Sequence, residues 1–284
     1  ERKKIEQEYK DVAALIKELE GLLKSPKRMR EVIQAELLNM RQLYGDRRRT
    51  QIVSLREGEV KADMLTATDM TPAQTVWVGV TMDGIIGRTH GEDLPRVSGR
   101  QAAGWLLKTN THHTLYLVGD SGRSAAIAVH ILPEVESFSD GVPFQKVSPL
   151  GEEDELSAVF SLPSSAERKE NTYVVTMTRQ GMIKKTDVVE LPGPSTQAFQ
   201  LAKINADDTL CNVLLTEGQS ELVIATALGM IIRFSENDIR PMGLAAAGVN
   251  AIKLSDEDSV AAVGRVKDGE ILLVGSNGIG WRLP

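Results

Sequence analysis

The sequence of 284 residues lacks several features that define whole classes of protein. It contains one cysteine, Cys211, so an internal disulfide is excluded and a reducing compartment is expected. Cys211 is interpreted as a small apolar strand residue. No apolar run approaches the roughly 18 residues that a membrane-spanning helix needs. The chain opens at Glu1 without a methionine or a signal peptide and stops at Pro284 after a strand-like run, so a piece of a longer polypeptide is expected.

The residue types that carry catalysis or hold metals do not form a recognisable site. The four histidines have no metal-ligand spacing with the cysteine or with carboxylates, and they are assigned to loops and strands: His90, His112, His113 and His130. No glycine-rich phosphate loop with a following Lys-Ser/Thr pair is present. The sequence therefore predicts no catalytic residue, no metal site and no cofactor in this stretch.

Charge is divided unevenly along the chain. The net charge is −6, but residues 1–50 carry +4 and the remainder carries −10. On charge alone the larger part does not look like a nucleic-acid binder. A short basic run, Arg47 to Arg49, is either a solvated linker or a phosphate contact near DNA.

The first 45 residues have the periodicity of helices. Apolar residues recur at spacings of three, four and seven over residues 1–24, with charges between them. Ser25 is predicted to cap a second helix that has Pro26 in its first position and ends at Gly45.

After residue 50 the pattern changes to short apolar runs broken by glycine turns. Five hairpin-like segments recur, and their turns lie at Asp83-Gly84, Ser121-Gly122, Gln180-Gly181, Leu228-Gly229 and Asn277-Gly278. Asp-Gly and Asn-Gly favour type I′ hairpin turns, which need positive φ at both central residues. A lysine followed by apolar residues seven and ten positions later also repeats, at Lys108, Lys203 and Lys253, and Lys146 matches with three extra residues. Acidic residues are expected on solvent-facing turns between these lysines and the apolar residues. A unit near 48 residues with about four short strands predicts blades arranged around an axis.

Several stretches resemble the C-terminal part of the bacterial gyrase A subunit family, with the topoisomerase IV A subunits as close relatives. The most specific is residues 229–243, Gly-Met-Ile-Ile-Arg-Phe-Ser-Glu-Asn-Asp-Ile-Arg-Pro-Met-Gly, continuing to Ala247-Gly248-Val249. Residues 181–186 and the stretch from Tyr44 to Thr50 are also similar to the family. The resemblance implies a mainly β fold, a propeller-like β-pinwheel whose blades exchange strands, preceded by an α-helical coiled-coil segment.

The resemblance also implies boundaries and contacts. It divides the chain into the end of a coiled-coil arm at 1–45, a linker at 46–72 and a DNA-wrapping β-pinwheel at 73–284, with about five blades represented and the fifth truncated. Spaced cations along a convex rim would bind the phosphate backbone of double-stranded DNA. The matching candidates here are Arg88, Arg96, Arg100, Arg123, Lys184, Lys185, Arg233, Arg240 and Arg282.

The activity implied by the resemblance belongs to a larger assembly. The family is an ATP-dependent, cytoplasmic type II DNA topoisomerase that works as an A2B2 heterotetramer, so the expected partners are the B subunit together with a second A subunit. ATP and Mg²⁺ would act elsewhere in that enzyme.

One motif departs from the gyrase pattern. The family's first blade has a Gln-Arg-Arg-Gly-Gly-(Lys or Arg)-Gly box, whereas residues 98–104 read Ser-Gly-Arg-Gln-Ala-Ala-Gly. Only Arg100 and Gly104 match. Two alternatives therefore stay open: a topoisomerase IV-like domain that delivers DNA without wrapping it, or a box that has moved, for example beyond Pro284. The acidic charge leaves a third alternative from a different class, a propeller-like scaffold that binds protein through its acidic surface.

Overall fold

The computed structural model describes residues 1–45, 68, 70–91, 93, 102–266 and 270–283. The chain divides into two compact units, Glu1–Asp63 and Met64–Pro284. Within the described residues, no helix has the length and apolar character needed to cross a membrane.

The first unit contains two helices, α1 at Arg2–Leu23 and α2 at Pro26–Tyr44, as the periodicity predicts. The hydroxyl of Ser25 accepts a hydrogen bond from the backbone N–H of Arg28 at 3.4 Å, so the predicted N-cap is confirmed. The apolar residues that set the helical period stay exposed, and neither helix contains a buried residue. The coiled coil stays a prediction.

The second unit is built from short strands. The strands before residue 163 are β1 Thr75–Thr81, β2 Ile85–Arg88, β3 Ala103–Asn110, β4 Thr114–Gly119, β5 Arg123–Ala128, β6 Val142–Pro143 and β7 Leu156–Leu162. Those after it are β8 Tyr173–Thr178, β9 Met182–Asp187, β10 Phe199–Gln200, β11 Leu210–Thr216, β12 Glu221–Thr226, β13 Ile231–Ser235, β14 Val249–Asn250, β15 Val260–Arg265, β16 Ile271–Val274 and β17 Gly280–Leu283.

These strands form five antiparallel sheets, which we number along the chain. Sheets 1, 2 and 3 have four strands in the orders β3-β1-β2-β6, β10-β5-β4-β7 and β11-β8-β9-β14. Sheet 4 has the order β13-β12-β15, and sheet 5 is the hairpin β16-β17. Each of the five predicted hairpins is confirmed, and each belongs to a different sheet.

Neighbouring sheets exchange strands by a repeated rule. The short outer strand of sheets 1, 2 and 3 comes from the chain that follows the hairpin of the next sheet: β6 follows β5, β10 follows β9 and β14 follows β13. A second hydrogen bond ties the same crossover to the inner hairpin. The backbone N–H groups of Val135, Ser195 and Met242 donate to the carbonyls of Arg88, Ala126 and Lys185 at 2.9, 2.9 and 2.8 Å. Consecutive sheets are therefore interlocked by the backbone.

The hairpin turns differ in type from the prediction. The five turn glycines have φ between 77° and 87°, and each N–H donates to the carbonyl three residues earlier. Among the described residues, only Asn171 and Glu257 have positive φ without being glycine, so the residue before each turn glycine is not left-handed. The type I′ prediction is therefore wrong. The pattern is that of a turn followed by a left-handed glycine, which also fits the right-handed twist of a hairpin.

An aspartate fastens the loop before the long strand to the hairpin turn in sheets 3 and 4. Oδ1 of Asp208 accepts hydrogen bonds from the N–H groups of Gln180 at 3.0 Å and Thr209 at 2.8 Å. Oδ1 of Asp258 accepts from Leu228 at 3.0 Å and Ser259 at 2.9 Å. We call this arrangement the aspartate clamp. These bonds to the charged form lower the pKa of Asp258, against the desolvation that raises it.

The core is a series of layers between sheets. In β4, Leu115 and Leu117 pack against sheet 1, whereas Tyr116 and Val118 pack against sheet 3. A third cluster joins Val175 and Met177 of sheet 3 to sheet 4. Successive strand residues point to opposite faces, so both faces of each inner sheet are covered by its neighbours. This is the blade packing that the repeat predicts.

Candidate nucleic-acid interface

A cation recurs at the fourth position after the turn glycine. This position is held by Arg88, Lys185, Arg233 and Arg282 in sheets 1, 3, 4 and 5, and by Ala126 in sheet 2. The residue is near the end of the second hairpin strand, where the crossover from the next sheet meets sheets 1 to 3. The structure uses the cation in two different ways.

In sheet 1 the cation is an internal tie. Nε of Arg88 donates to the carbonyl of Leu132 at 3.1 Å, and Nη2 pairs with Oε1 of Glu134 at 2.8 Å. The side chain of Arg88 is 11% exposed. Nδ1 of His90 lies 2.9 Å from the other oxygen of Glu134, and this hydrogen bond, assisted by Arg88, lowers the pKa of Glu134. Arg88 thus binds the crossover that interlocks sheets 1 and 2.

Sheet 3 contains a buried ion pair at the same position. Nζ of Lys185 lies 3.1 Å from Oε1 of Glu236, whose side chain is fully buried. The second Glu236 oxygen accepts a hydrogen bond from the N–H of Ser220 at 3.1 Å, and the hydroxyl of Thr216 donates to the first. The ammonium also lies 4.3 Å from the centre of the Tyr173 ring. The pair joins β9 to the end of the following hairpin.

The neighbouring lysine is buried on the opposite face of β9. Nζ of Lys184 donates to the carbonyls of Leu201 at 2.8 Å and Leu244 at 2.9 Å. Leu201 follows the exchanged strand β10, and Leu244 follows the hairpin β12-β13 of sheet 4. Burial lowers the pKa of Lys184 to about 8, although Glu190 acts in the opposite direction.

Burial removes these three residues from the set that can touch DNA directly. The resemblance to the gyrase family predicts Arg88, Lys184 and Lys185 as cations of the DNA-binding rim. In the structure the three side chains are buried, and carbonyls and carboxylates of the fold accept hydrogen bonds or pair with their charges. Their place in the structure is that of ties between sheets.

Four other candidates are accessible. Nη1 of Arg123 pairs with Glu153 at 3.1 Å and with Asp154 at 3.0 Å, and the side chain is 40% exposed. Arg233 pairs with Glu221 in its own sheet, and Nε of Arg282 pairs with Glu270 at 2.8 Å. Arg240 is exposed and has no ion pair within the described part of the chain. The pairs of Arg233 and Arg282 are exposed and contribute little stability, so a phosphate can replace their carboxylates at small cost. Arg123 differs from them because its partner Asp154 is buried.

The remaining candidates fall outside the described residues: Arg96, Arg100 and the basic run from Arg47 to Arg49. Of the stretch at 98–104 that departs from the gyrase box, only residues 102–104 are described, and β3 starts within them. Among the described residues, no group of three His, Cys, Asp or Glu side chains is placed to hold a metal ion.

Three surface lysines were found in the sequence as a repeat but were not assigned to the interface. Lys146, Lys203 and Lys253 each come three residues after a short exchanged strand, and all three are exposed. Lys108, which shares their spacing in the sequence, lies within β3 and is not equivalent. The signal that separates the three from Lys108 is the exchanged strand, which is only two residues long.

Comparison with known proteins gives the same fold. A family model described as "DNA gyrase C-terminal domain, beta-propeller" matches residues 172–217 and 220–267, each of which contains one hairpin and the next long strand. A solved C-terminal domain of DNA topoisomerase IV superposes with a TM-score of 0.64 and 25% identity, covering 74% of this chain and 68% of that one. A DNA gyrase A C-terminal domain superposes with a TM-score of 0.55 at 19% identity, covering 74% of this chain and 71% of that one.

The β unit therefore has the propeller-type fold of the C-terminal domains of DNA topoisomerase IV and DNA gyrase A. The chain as a whole is similar to the DNA gyrase A subunit. It is 30% identical to that protein from Haloquadratum walsbyi over 298 aligned positions, which cover 99% of this chain and 34% of the relative. The chain thus spans about a third of the length of the curated relative that it matches.

Proposed function

We propose that this chain is the double-stranded-DNA-binding module of a gyrase-type topoisomerase. The observation that carries the proposal is the series of interlocked hairpin sheets, two of which match the gyrase family model. The exposed cations Arg123, Arg233, Arg240 and Arg282 are candidates for phosphate contacts, because a duplex backbone needs spaced charges rather than a base-reading helix. Arg96 and Arg100 stay candidates on the sequence alone.

The acidic composition is the main objection to DNA binding. Asp154 and Asp208 are buried and hydrogen-bonded to backbone N–H groups, Asp154 to Gly151 and Asp208 to Gln180. Glu236 is buried against Lys185. These carboxylates are components of the fold, but Arg88, Lys184 and Lys185 are buried as well, so among the described residues burial removes equal numbers of negative and positive charges. Binding therefore depends on where the exposed cations lie and not on the net charge.

The test measures binding of the full 284-residue chain to a blunt duplex of about 40 base pairs by fluorescence anisotropy, at KCl concentrations from 50 to 300 mM. The logarithm of the binding constant is expected to fall linearly with the logarithm of salt concentration. A polyglutamate competitor of equal charge serves as the control and is expected to bind much more weakly. Absence of binding at 50 mM KCl would overturn the proposal and favour the protein-scaffold alternative.

We infer further that the domain directs strand passage within an A2B2 heterotetramer. The second A subunit would be met through the arm to which α1 and α2 contribute, and the B subunit would supply ATP hydrolysis. The exposed apolar residues of these helices, such as Leu19 at 49% and Leu37 at 60%, are suited to a helical partner. The chemistry of cleavage would belong to parts of that enzyme outside these residues.

A topoisomerase IV-type domain is a second candidate, favoured by two observations. The topoisomerase IV C-terminal domain superposes better than the gyrase domain, with TM-scores of 0.64 and 0.55. The stretch at 98–104 also keeps only Arg100 and Gly104 of the gyrase box. The two candidates differ in one property: a gyrase-type domain wraps DNA and changes its linking number, whereas a topoisomerase IV-type domain binds without that change.

A further inference from the structure

The loops that follow the exchanged strands share one exposed lysine at a fixed position. Each of β6, β10 and β14 is followed after three residues by Lys146, Lys203 or Lys253. We propose that these three residues form a lysine track that binds the DNA phosphate backbone from sheet to sheet. The proposal rests on the proposed function and names contacts that the turn-based candidates do not include.

The position of each lysine is fixed by apolar neighbours that pack on a hairpin turn. The Phe144 ring lies 3.0 Å from where a Cβ on Gly84 would be, and Ile252 lies 2.9 Å from the equivalent position on Gly181. On either side of Lys203, the carbonyl oxygen of Ala202 and the side chain of Ile204 lie within 3.0 Å of where a Cβ on Gly122 would be. The lysines therefore lie beside the hairpin turns of sheets 1, 2 and 3, in loops whose neighbouring residues pack against those turns.

Two of the lysines also border the second hairpin strand of the following sheet. Lys146 lines a groove of about 560 Å³ with Ala126 and Ile127 of β5. Lys253 lines one of about 410 Å³ with Ile232 of β13. These cations lie at the junctions between consecutive sheets, so the repeat of the sheets sets the distance from one cation to the next.

The lysines differ from three of the four exposed arginine candidates in having no ion-pair partner. Within the part of the chain that the structure describes, none of the three makes an ion pair or a side-chain hydrogen bond, whereas Arg123, Arg233 and Arg282 are all paired with carboxylates. An unpaired ammonium on a flexible stem binds phosphate as a point charge and does not read sequence. The exposed carboxylates of Asp207 and Asp256 follow in the same loops, and the lysines offset their negative charge there.

The test compares two double variants with the same loss of charge. K203Q/K253Q removes two members of the track, and K169Q/R265Q removes two exposed cations that lie outside it. Each phosphate contact contributes about 0.9 to the slope of log binding constant against log salt. The track variant is expected to lose about 1.8 of that slope and at least about 10-fold in affinity at 150 mM KCl, equally on two unrelated duplex sequences. The control is expected to lose no more than about 3-fold.

Circular dichroism and tryptophan fluorescence of both variants must match those of the unsubstituted chain, and exposed Lys→Gln changes are expected to leave the fold intact. Equal weakening by the two double variants would overturn the lysine track while leaving the DNA-binding function in place. If the unsubstituted chain itself fails to bind duplex DNA at 50 mM KCl, the proposed function and the track both fall. The two failures are therefore distinguishable.

Discussion

Two adjacent lysines in one strand show how the fold redefines a sequence signal. Lys184 and Lys185 are consecutive in β9, so one of them would face solvent if the sheet had an open face. Both are buried, because sheet 3 is covered on both sides by sheets 2 and 4. A charged pair of this kind could not be distinguished from surface cations without knowledge of which faces are covered.

The Lys185–Glu236 pair tests whether Lys185 is a buried cation and not a surface cation. Lys185→Met is expected to destabilise the β unit by about 3–5 kcal/mol, because it leaves Glu236 buried without its counter-charge. Arg233→Met, at the equivalent but exposed position, is expected to change stability by less than about 1 kcal/mol. Urea unfolding followed by tryptophan fluorescence reports on this unit alone, since Trp77, Trp105 and Trp281 all lie in it. Similar losses in the two variants would contradict the assignment of Lys185 to the interior.

Lys184 predicts an unusual dependence of stability on alkaline pH. Its pKa is about 8 in the folded state and 10.5 in the unfolded chain, so the unfolded chain binds more protons between these values. Stability contributed by this group therefore rises with pH through that window, by at most about 1.4 kcal/mol per pH unit, and is constant below about pH 8. The difference between the unsubstituted chain and Lys184→Met isolates the contribution from other alkaline titrations.

Measured by urea unfolding at pH 7, 8, 9 and 10, that difference is expected to be flat up to pH 8 and to change in favour of the unsubstituted chain above it. A difference that is independent of pH over the whole range would show that the ammonium is not desolvated.

At the scale of elements, the hairpins could be predicted from the sequence, but the short exchanged strands that pair with them could not. Alternating apolar residues and a turn glycine located all five hairpins, because hairpin pairing is local in sequence. The exchanged strands β6, β10 and β14 are two residues long and pair with residues far away in the chain. Such short segments carry no periodicity of their own, so their pairing depends on the packed neighbours.

The aspartate clamp predicts that a buried carboxylate in a loop stabilises the turn that it caps. Asp208→Ala is expected to cost about 1–3 kcal/mol, because the N–H groups of Gln180 and Thr209 lose their acceptor. Asp207→Ala is the matched control: this residue is exposed and contributes only its backbone carbonyl to Gln180, so a change within about 0.5 kcal/mol is expected. Equal effects in urea unfolding would exclude a specific role for the clamp.

Two turn glycines with the same φ separate backbone strain from packing. Gly181 and Gly229 both have φ of 87°, which is unfavourable for alanine. A Cβ on Gly181 would meet Ile252 at 2.9 Å, whereas one on Gly229 would meet nothing within 4 Å. Gly229→Ala is therefore expected to cost about 1–2 kcal/mol from strain alone.

Gly181→Ala is expected to cost at least about 1 kcal/mol more than Gly229→Ala, because the exchanged segment around Ile252 has to move. The comparison is made by thermal unfolding of both variants in parallel. Equal destabilisation by the two substitutions would contradict the close packing of Ile252 against the turn at Gly181.

For the whole molecule, the sequence predicted the class of fold but not where the charge lies. The repeat and the motif at 229–243 indicated a blade architecture, and the sheets and relatives confirm it. The charge balance favoured a surface poorly suited to DNA. In the structure, carboxylates and cations alike are buried as parts of the fold, so DNA binding depends on where the exposed cations lie. Composition counts these charges but cannot locate them.

The most direct test of the account is the linking number of plasmid DNA bound by the full chain. Relaxed plasmid is incubated with increasing protein, treated with a type I topoisomerase, freed of protein and resolved on a gel. A protein-dependent positive shift in linking number is predicted if the proposed gyrase-type module wraps duplex DNA. Tight, salt-sensitive binding with no shift at any protein concentration would contradict wrapping and indicate a topoisomerase IV-type domain.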